Sequence, residues 1–331
     1  MSEFQVQVIQ LGPITKHPNA DTLSCTDVDG YPVILRTGDY AEGDRAVYVP
    51  VDAIVPHDDP RWSFLDGHWR IRAKRVRGVF SMGLLTPADP SWELGADVQE
   101  LLHIEKHDPD AAREGGRGPR GPSPFDDKDP GLCPIYDIEG LRKYRTLFEH
   151  GEPVWISEKI HGQNARFVHD GERLHVGSRT RFKKADAPVT WNQVAVHYGL
   201  AEKLAAHPGV AIYGETYGNN TDMAYGLMRP EIDRLVLFDA LDTKTRRWFD
   251  VDEFLAFAAA LGLPVVPTLY RGPWSPDLTS LAEGKTTMPM PGATHVREGI
   301  VVKPLIERVD RRIGRVFLKL AGEGYLTRKG A

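Results

Sequence analysis

Apolar and polar positions change their spacing twice along the chain. Over the first hundred or so residues, short runs such as "FQVQVIQLG", "YPVILRTG", "RAVYVPVDAIVP" and "WRIRAKRVRGVF" are set apart by Gly, Pro and Asp. Apolar residues alternate within them, the period of half-buried strands, and their even spacing predicts a small all-β barrel or sandwich. In the last run Trp69, Ile71 and Ala73 alternate with Arg70, Arg72 and Lys74, after which Val76 and Val79 become the apolar positions. A bulge near Lys74 and Arg75 accounts for the slip and sets most of the basic residues on one face; by itself the run also fits an edge strand guarded by charge. The pattern then stops. "KHDPDAAREGGRGPRGPSPFDDKDPG" offers hardly any apolar side chain to bury, so residues 106–131 read as a flexible linker.

Beyond the linker the periods mix. "NARFVH-DG-ERLHVGS" predicts a hairpin turning at Asp170-Gly171, and "DVDEFLAFAAALGLP" a helix with Asp250 as N-cap, Glu253 completing a capping box, and Gly262 and Pro264 ending it. "AIYGETYG", "RLVLFDAL", "EGIVVKP" and "RVFLKLAG" are strand-like. The expectation is an α+β chain: a β domain over residues 1–105, a linker over 106–131, and a domain of antiparallel sheets and helices over 132–331.

Composition narrows the function. At 331 residues the chain is long enough for two cores, and 41% hydrophobic with 26% charged residues describes a globular protein. No apolar run approaches bilayer thickness, and the N-terminus lacks a basic, then apolar, leader, so neither membrane nor secretion is expected. Two cysteines, Cys25 and Cys133, argue against a disulfide framework or cysteine zinc site and fit a cytoplasmic location. A net charge of -5 argues against an overall basic coat for nucleic acid while allowing a local basic groove. No GxGxxG or Walker loop is present.

The chemistry gathers around "SEKIHGQNARF". Lys159, Glu215, Phe238, Glu298, Lys303 and Lys319 sit in or beside five apolar runs, where inward charge is costly without a partner. A nucleoside triphosphate with a divalent metal satisfies that inventory. A lysine attacks phosphorus only when deprotonated, so Lys159 is expected to have a lowered pKa, with Lys303, Lys319 and metal as the causes. Glu215 and Glu298 suit ribose hydroxyls and a hard cation, and Phe238 suits stacking on a base. Singly, each has a plain alternative: Phe238 as strand core, Gly162 and Gly299 as turn glycines, Glu215 with Lys303 as a structural ion pair.

Two resemblances add to this reading. "HPNADTLSCTDVDG", "TGDYAEGDRAVYVPVDAIVP" and "IRAKRVRGVFSMGLL" resemble the tRNA-binding OB modules of some aminoacyl-tRNA synthetases, which implies a five-stranded OB-fold β-barrel that holds nucleic acid. Arg70, Arg72, Lys74, Arg75 and Arg77 are its candidate contacts. "EKIHG", "YGETYG", "LVLFDA", "EGIVVKP" and "FLKLAG" resemble, in order and spacing, motifs I, III, IIIa, IV and V of the covalent nucleotidyltransferases, the ATP-dependent ligases and mRNA capping enzymes. With "GSRTRF" and the OB module, "KIHG" is similar to RNA ligases of the Deinococcus radiodurans type.

The resemblance implies that Lys159 is adenylylated, that the backbone of Glu158 reads adenine, and that Asn164 and Arg179 contact the nucleotide. It implies that Glu215 binds ribose or metal-bound water, that Phe238 stacks on adenine, that Glu298 lies near the Mg2+ or Mn2+ ion, and that Lys303 and Lys319 contact phosphates. His161 stands where many ligases have aspartate and is expected to act in the later steps. Motif V of the family has two lysines spaced by one residue, whereas here the pair is Phe317 and Lys319. The second cation is then Arg315 or a substrate-bound metal, or one step is slower.

The implied activity is ATP-dependent RNA sealing of 3′-hydroxyl and 5′-phosphate ends in RNA repair, on a nicked duplex of RNA or RNA/DNA hybrid, with no obligate protein partner. The alternatives are a DNA ligase or capping enzyme, both disfavoured by "KIHG" and by the short sequence after motif V, and a non-catalytic RNA-binding OB protein.

Overall fold

The structure, a computed structural model, describes residues 4–107, 125, 131–219, 221–228 and 230–328. Most of the expected linker lies outside the described residues. The rest divides into two compact units, one taking in residues 4–107 and the other residues 131–325.

The first unit is built from ten short strands: β1 (Gln7–Gln10), β2 (Thr15–Lys16), β3 (Leu23–Val28), β4 (Tyr31–Arg36), β5 (Arg45–Val49), β6 (Ala53–Ile54), β7 (Lys74–Val76), β8 (Val79–Ser81), β9 (Leu84–Pro87) and β10 (Glu105–Lys106). They pair as β1-β5-β9, β2-β3-β4, β6-β10 and β7-β8, in place of five continuous strands. Alternating residues such as Val6, Val8, Val47 and Val49 point into one small core, and Val28, Val33 and Leu35 into another. Lys106 still pairs with Ala53, and the His107 N–H donates to the Asp52 carbonyl at 2.7 Å, so the unit runs slightly past residue 105.

The bulged strand expected around Lys74 is a hairpin instead. Trp69 to Ala73 is irregular apart from a bridge from Arg70 to Ile54. β7 and β8 then turn at Arg77-Gly78, both with positive φ (48° and 88°), as a two-residue hairpin turn demands. The turn, not a bulge, resets the apolar phase between Val76 and Val79.

The second unit contains two five-stranded sheets. The first is ordered β11 (Glu139–Gly140), β22 (Leu318–Ala321), β19 (Gly299–Pro304), β12 (Pro153–Lys159), β18 (Thr268–Pro273). The second is ordered β14 (Leu174–Ser178), β13 (Gln163–His169), β15 (Val210–Tyr217), β16 (Arg234–Asp242), β17 (Arg247–Trp248). All neighbours within the two sheets are antiparallel except β11 with β22. A hairpin, β20 (Val309–Asp310) with β21 (Gly314–Arg315), follows β19.

Four α-helices, α1 (Thr190–His197), α2 (Leu200–Ala205), α3 (Val251–Ala260) and α4 (Glu323–Leu326), and two 3-10 helices, Pro60–Leu65 and Pro276–Ala282, complete the described part. The pair α1 and α2 escapes the sequence reading because it is short and has no side-chain cap at either N-terminus. Asp250 does precede α3, but its carboxylate accepts the Glu307 N–H at 2.7 Å, and the Glu253 carboxylate takes Arg247 in two bonds of 2.7 Å. Half of the expected capping box is therefore kept: the Glu253 carboxylate still takes the Asp250 backbone N–H, while the Asp250 side chain is diverted to Glu307. The hairpin of β13 and β14 forms as expected, with Asp170 Oδ1 accepting the Glu172 and Arg173 amides. Among the described residues no helix is long and apolar enough to cross a membrane.

Candidate active site

Alternation along β12 decides where Lys159 points. Val154 and Ile156 enter one core while Trp155 enters the other, so Lys159, two and four residues after Ser157 and Trp155, leaves on the Trp155 side. On the same side the register sets Gly299 opposite Lys159 and Val301 opposite Ser157, with Lys319 of β22 opposite Val301. In the second sheet Asn164 of β13 pairs with Glu215 of β15.

Two glycines make these approaches possible. A Cβ on Gly299 would stand 2.0 Å from the Leu320 carbonyl oxygen, and one on Gly162 would stand 2.3 Å from that of Thr216. Both positions require close backbone contact, which a simple turn glycine does not.

Lys159 Nζ donates to Glu298 Oε1 at 2.5 Å. Burial pushes its pKa down, but the charges of Glu298 and Glu215 more than offset that and hold the ammonium above its ordinary value. The expected depression is absent because carboxylates, not lysines, are its dominant charged neighbours. Burial drives Glu215 up to about 8, aided by Glu298 and opposed by Lys159. Lys319 is pushed down to about 8 by burial and then by Lys159. Its Nζ makes no hydrogen bond or ion pair among the described residues, which leaves a cation facing the site without a direct partner.

His161 joins this group, with Nδ1 3.8 Å from Glu298 Oε2. Asn164 Oδ1 is buried with no hydrogen-bond partner. Arg179 is exposed and pairs with Asp137, and both contribute to the field at Lys319. Phe238 is partly buried against Tyr136, ring centroids 4.7 Å apart.

Glu158 points away from Lys159. Its buried carboxylate accepts Thr286 Oγ1 (2.5 Å), Thr287 N (2.6 Å) and Thr287 Oγ1 (2.6 Å), while its own N–H donates to the Pro267 carbonyl. A base that reads this residue through the backbone would have to use its carbonyl oxygen.

Lys303 is placed apart from Lys159, in a closed ionic network. It is 1% exposed, and Nζ lies 3.0 Å from Asp239 Oδ1 and 3.2 Å from Glu307 Oε1. Arg315 binds the same two carboxylates, at 2.8 Å from Asp239 Oδ2 and 2.7 Å from Glu307 Oε2, and stacks on Trp248. The Tyr136 hydroxyl donates to Asp239 Oδ2 at 2.6 Å. Asp239 carries a lowered pKa, because Arg315 and Lys303 outweigh its burial. The ion pair imagined between Glu215 and Lys303 is thus made by Asp239, and Arg315 is committed to structure.

Asp222, Tyr225, Tyr325 and Asp239 are site or supporting residues that the sequence reading passed over. Only Asp239 carried a signal, an acid inside the apolar run "LVLFDAL". In the first unit Arg72, Lys74, Arg75 and Arg77 are exposed, whereas Arg70 is held by Asp52 at 2.6 Å.

This fold, an OB unit joined to a two-sheet unit, is that of solved RNA ligases. A mutant of Naegleria gruberi RNA ligase with ATP and Mn is similar over 98% of both chains, with a TM-score of 0.81 at 21% identity. The same ligase with PPi gives 0.79, and another mutant with AMP and Mn gives 0.78, both at 21% identity and over 98% of each chain. The comparison with curated proteins gave no match. Residues 5–88 match an OB-fold domain model, and residues 152–321, just over half of the chain, match the RNA ligase family. The chain belongs to the RNA ligase family.

Proposed function

We propose that the protein is an ATP-dependent RNA ligase that joins 3′-hydroxyl to 5′-phosphate ends through a Lys159-AMP intermediate. The observation that carries this is Lys159 at a strand end, held between Glu298 and Glu215, with Lys319 on the same face. That is a nucleophile with a proton acceptor 2.5 Å away and a cation beside it. The Naegleria gruberi ligase structures with ATP, AMP and PPi contain the substrate and products that such a reaction needs, which supports the reading.

In the first step Lys159 Nζ gives its proton to Glu298 and attacks the α-phosphorus; a P–N bond forms and pyrophosphate leaves. In the second, a 5′-phosphate oxygen displaces the lysine and takes AMP. In the third, the 3′-hydroxyl attacks that 5′-phosphate and AMP leaves. Lys319 neutralises phosphate charge, Arg179 and Asn164 hold the nucleotide, and Phe238 carries the adenine. His161 acts after the lysine is charged. For Lys303 to touch phosphate it would have to leave two ion pairs, so its part is to hold Asp239 and the strands around it.

The residues fit a divalent cation. Among the described residues no group of three or more His, Cys, Asp and Glu forms a cage. Glu215 and Glu298 would instead hold a Mg2+ or Mn2+ ion through their carboxylate oxygens, the ligand type such hard cations prefer. Such an ion supplies charge neutralisation at the phosphates.

The substrate is a nick in duplex RNA or an RNA/DNA hybrid, gripped by Arg72, Lys74, Arg75 and Arg77 of the OB unit. The setting is RNA repair in the cytoplasm by an enzyme of the Deinococcus type, without an obligate protein partner. The test is incubation of wild type and Lys159→Ala with α-labelled ATP or GTP and Mg2+ or Mn2+, followed by denaturing electrophoresis. Label from ATP alone, lost in the variant, is the expected result. Label from GTP would indicate a capping enzyme, and none from either would leave an RNA-binding OB protein.

A further inference from the structure

His161 is gripped from three directions. Its backbone N–H donates to the Tyr225 hydroxyl at 2.8 Å, Nε2 lies 2.6 Å from Asp222 Oδ1, and Nδ1 lies 2.7 Å from the Tyr325 hydroxyl. A carboxylate only accepts, so Nε2 carries a hydrogen; in the neutral ring Nδ1 then accepts from Tyr325. Both ring nitrogens are engaged, which leaves the imidazole with one orientation and no spare lone pair. Tyr225 is itself 1% exposed and stacks edge-on against Tyr217 and His295, so the backbone anchor is rigid.

The three holding groups come from two parts of the second unit. Asp222 and Tyr225 belong to the segment after β15, the strand of Glu215, and Tyr325 lies in α4, six residues after Lys319. The ring so held has Nδ1 3.8 Å from Glu298 Oε2, while Lys159 holds the other carboxylate oxygen, Oε1, at 2.5 Å.

We propose that Asp222 and Tyr325 are positioning residues that hold the His161 ring in one orientation beside Glu298, the orientation in which it acts after Lys159 is charged. This extends the ligase reading and rests on it. Groups that orient a metal-ligating histidine typically change activity by about 10–100-fold, and a loss of that order is expected for the groups that orient His161. Asp222 and Tyr325 act only through the ring, so their loss should cost nothing once the ring is gone.

The experiment compares wild type, His161→Ala, Asp222→Asn and Tyr325→Phe, together with each of the last two combined with His161→Ala. Three rates are read on the full chain: label transfer from ATP to the protein, transfer of AMP to a 5′-phosphate nick, and sealing of a pre-adenylylated nick. Asp222→Asn and Tyr325→Phe are expected to slow the same step as His161→Ala, by about ten-fold or more, and to add nothing in the double variants. Both substitutions keep side-chain size, and unfolding midpoints are measured alongside. Losses that add to that of His161→Ala would overturn the proposal, as would equal loss at all three steps tracking a lowered midpoint. Wild-type rates in both single variants would do the same. If wild type itself takes no label from ATP, the ligase reading falls and this inference with it; if wild type labels and seals, only the inference is at stake.

Discussion

At the scale of single residues, the site is a set of charges that shift one another. Glu215 rises from its ordinary 4.5 to about 8, with burial as the main cause, so the folded chain keeps a proton that the unfolded chain releases. Stability carried by this group therefore falls as pH rises from about 4.5 to 8 and stays low above that. Glu215→Gln removes the titration. Its thermal midpoint is expected to exceed that of wild type at about pH 8, with the gap closing toward pH 4.5; a gap independent of pH would refute the assignment. Lys319, lowered to about 8, loses its charge above that pH, whereas Glu215 gains its charge there. The rate of protein labelling by ATP is accordingly expected to peak near about pH 8 and fall on both sides, and Lys319→Arg, which stays charged, should extend the alkaline limb.

At the scale of elements, what matters is how closely strands approach and how they are tied. β19 meets β22 where Gly299 has no side chain, and Gly299→Ala would force the Leu320 carbonyl to move. The expected cost is roughly 1–3 kcal/mol in denaturant unfolding, with Lys319 displaced as well. β16 is tied to β19 and β21 by Asp239, which is 0% exposed and faces Lys303 and Arg315. Asp239→Ala leaves buried Lys303 and Arg315 with Glu307 as their one shared carboxylate and is expected to cost about 3–5 kcal/mol, more than any exposed pair such as Arg271 with Asp252. A variant near wild-type stability would show that the network is dispensable.

At the scale of the molecule, nucleic-acid binding is expected to draw on exposed Arg72 and on Lys74, Arg75 and Arg77 of the β7 and β8 hairpin that follows it. Alanine at Arg72 or Lys74 should weaken binding to a nicked duplex similarly across sequences and lower the salt slope by about 1 for each phosphate no longer neutralised, whereas Arg70, already paired with Asp52, should contribute less. The ordered motifs pointed to Lys159, Glu215 and Glu298, which the fold brings together, and the α+β class was legible because strand period and apolar runs are local properties that survive in one dimension. The hairpin of β13 and β14 was legible for the same reason, and α1 with α2 was not, because two short helices without caps leave no local mark. Partner choice was not legible either. Lys303 and Lys319 looked alike in the sequence, yet one is sealed by Asp239 and Glu307 and the other is left to face Lys159. The same holds for His161, whose partners Asp222 and Tyr325 lie 61 and 164 residues away. Sequence order and residue type determined which groups this chain has to work with. Only the packing of two sheets decided which charges neutralise one another and which remain for a substrate, because burial and distance set those energies and neither is a property of the chain in one dimension.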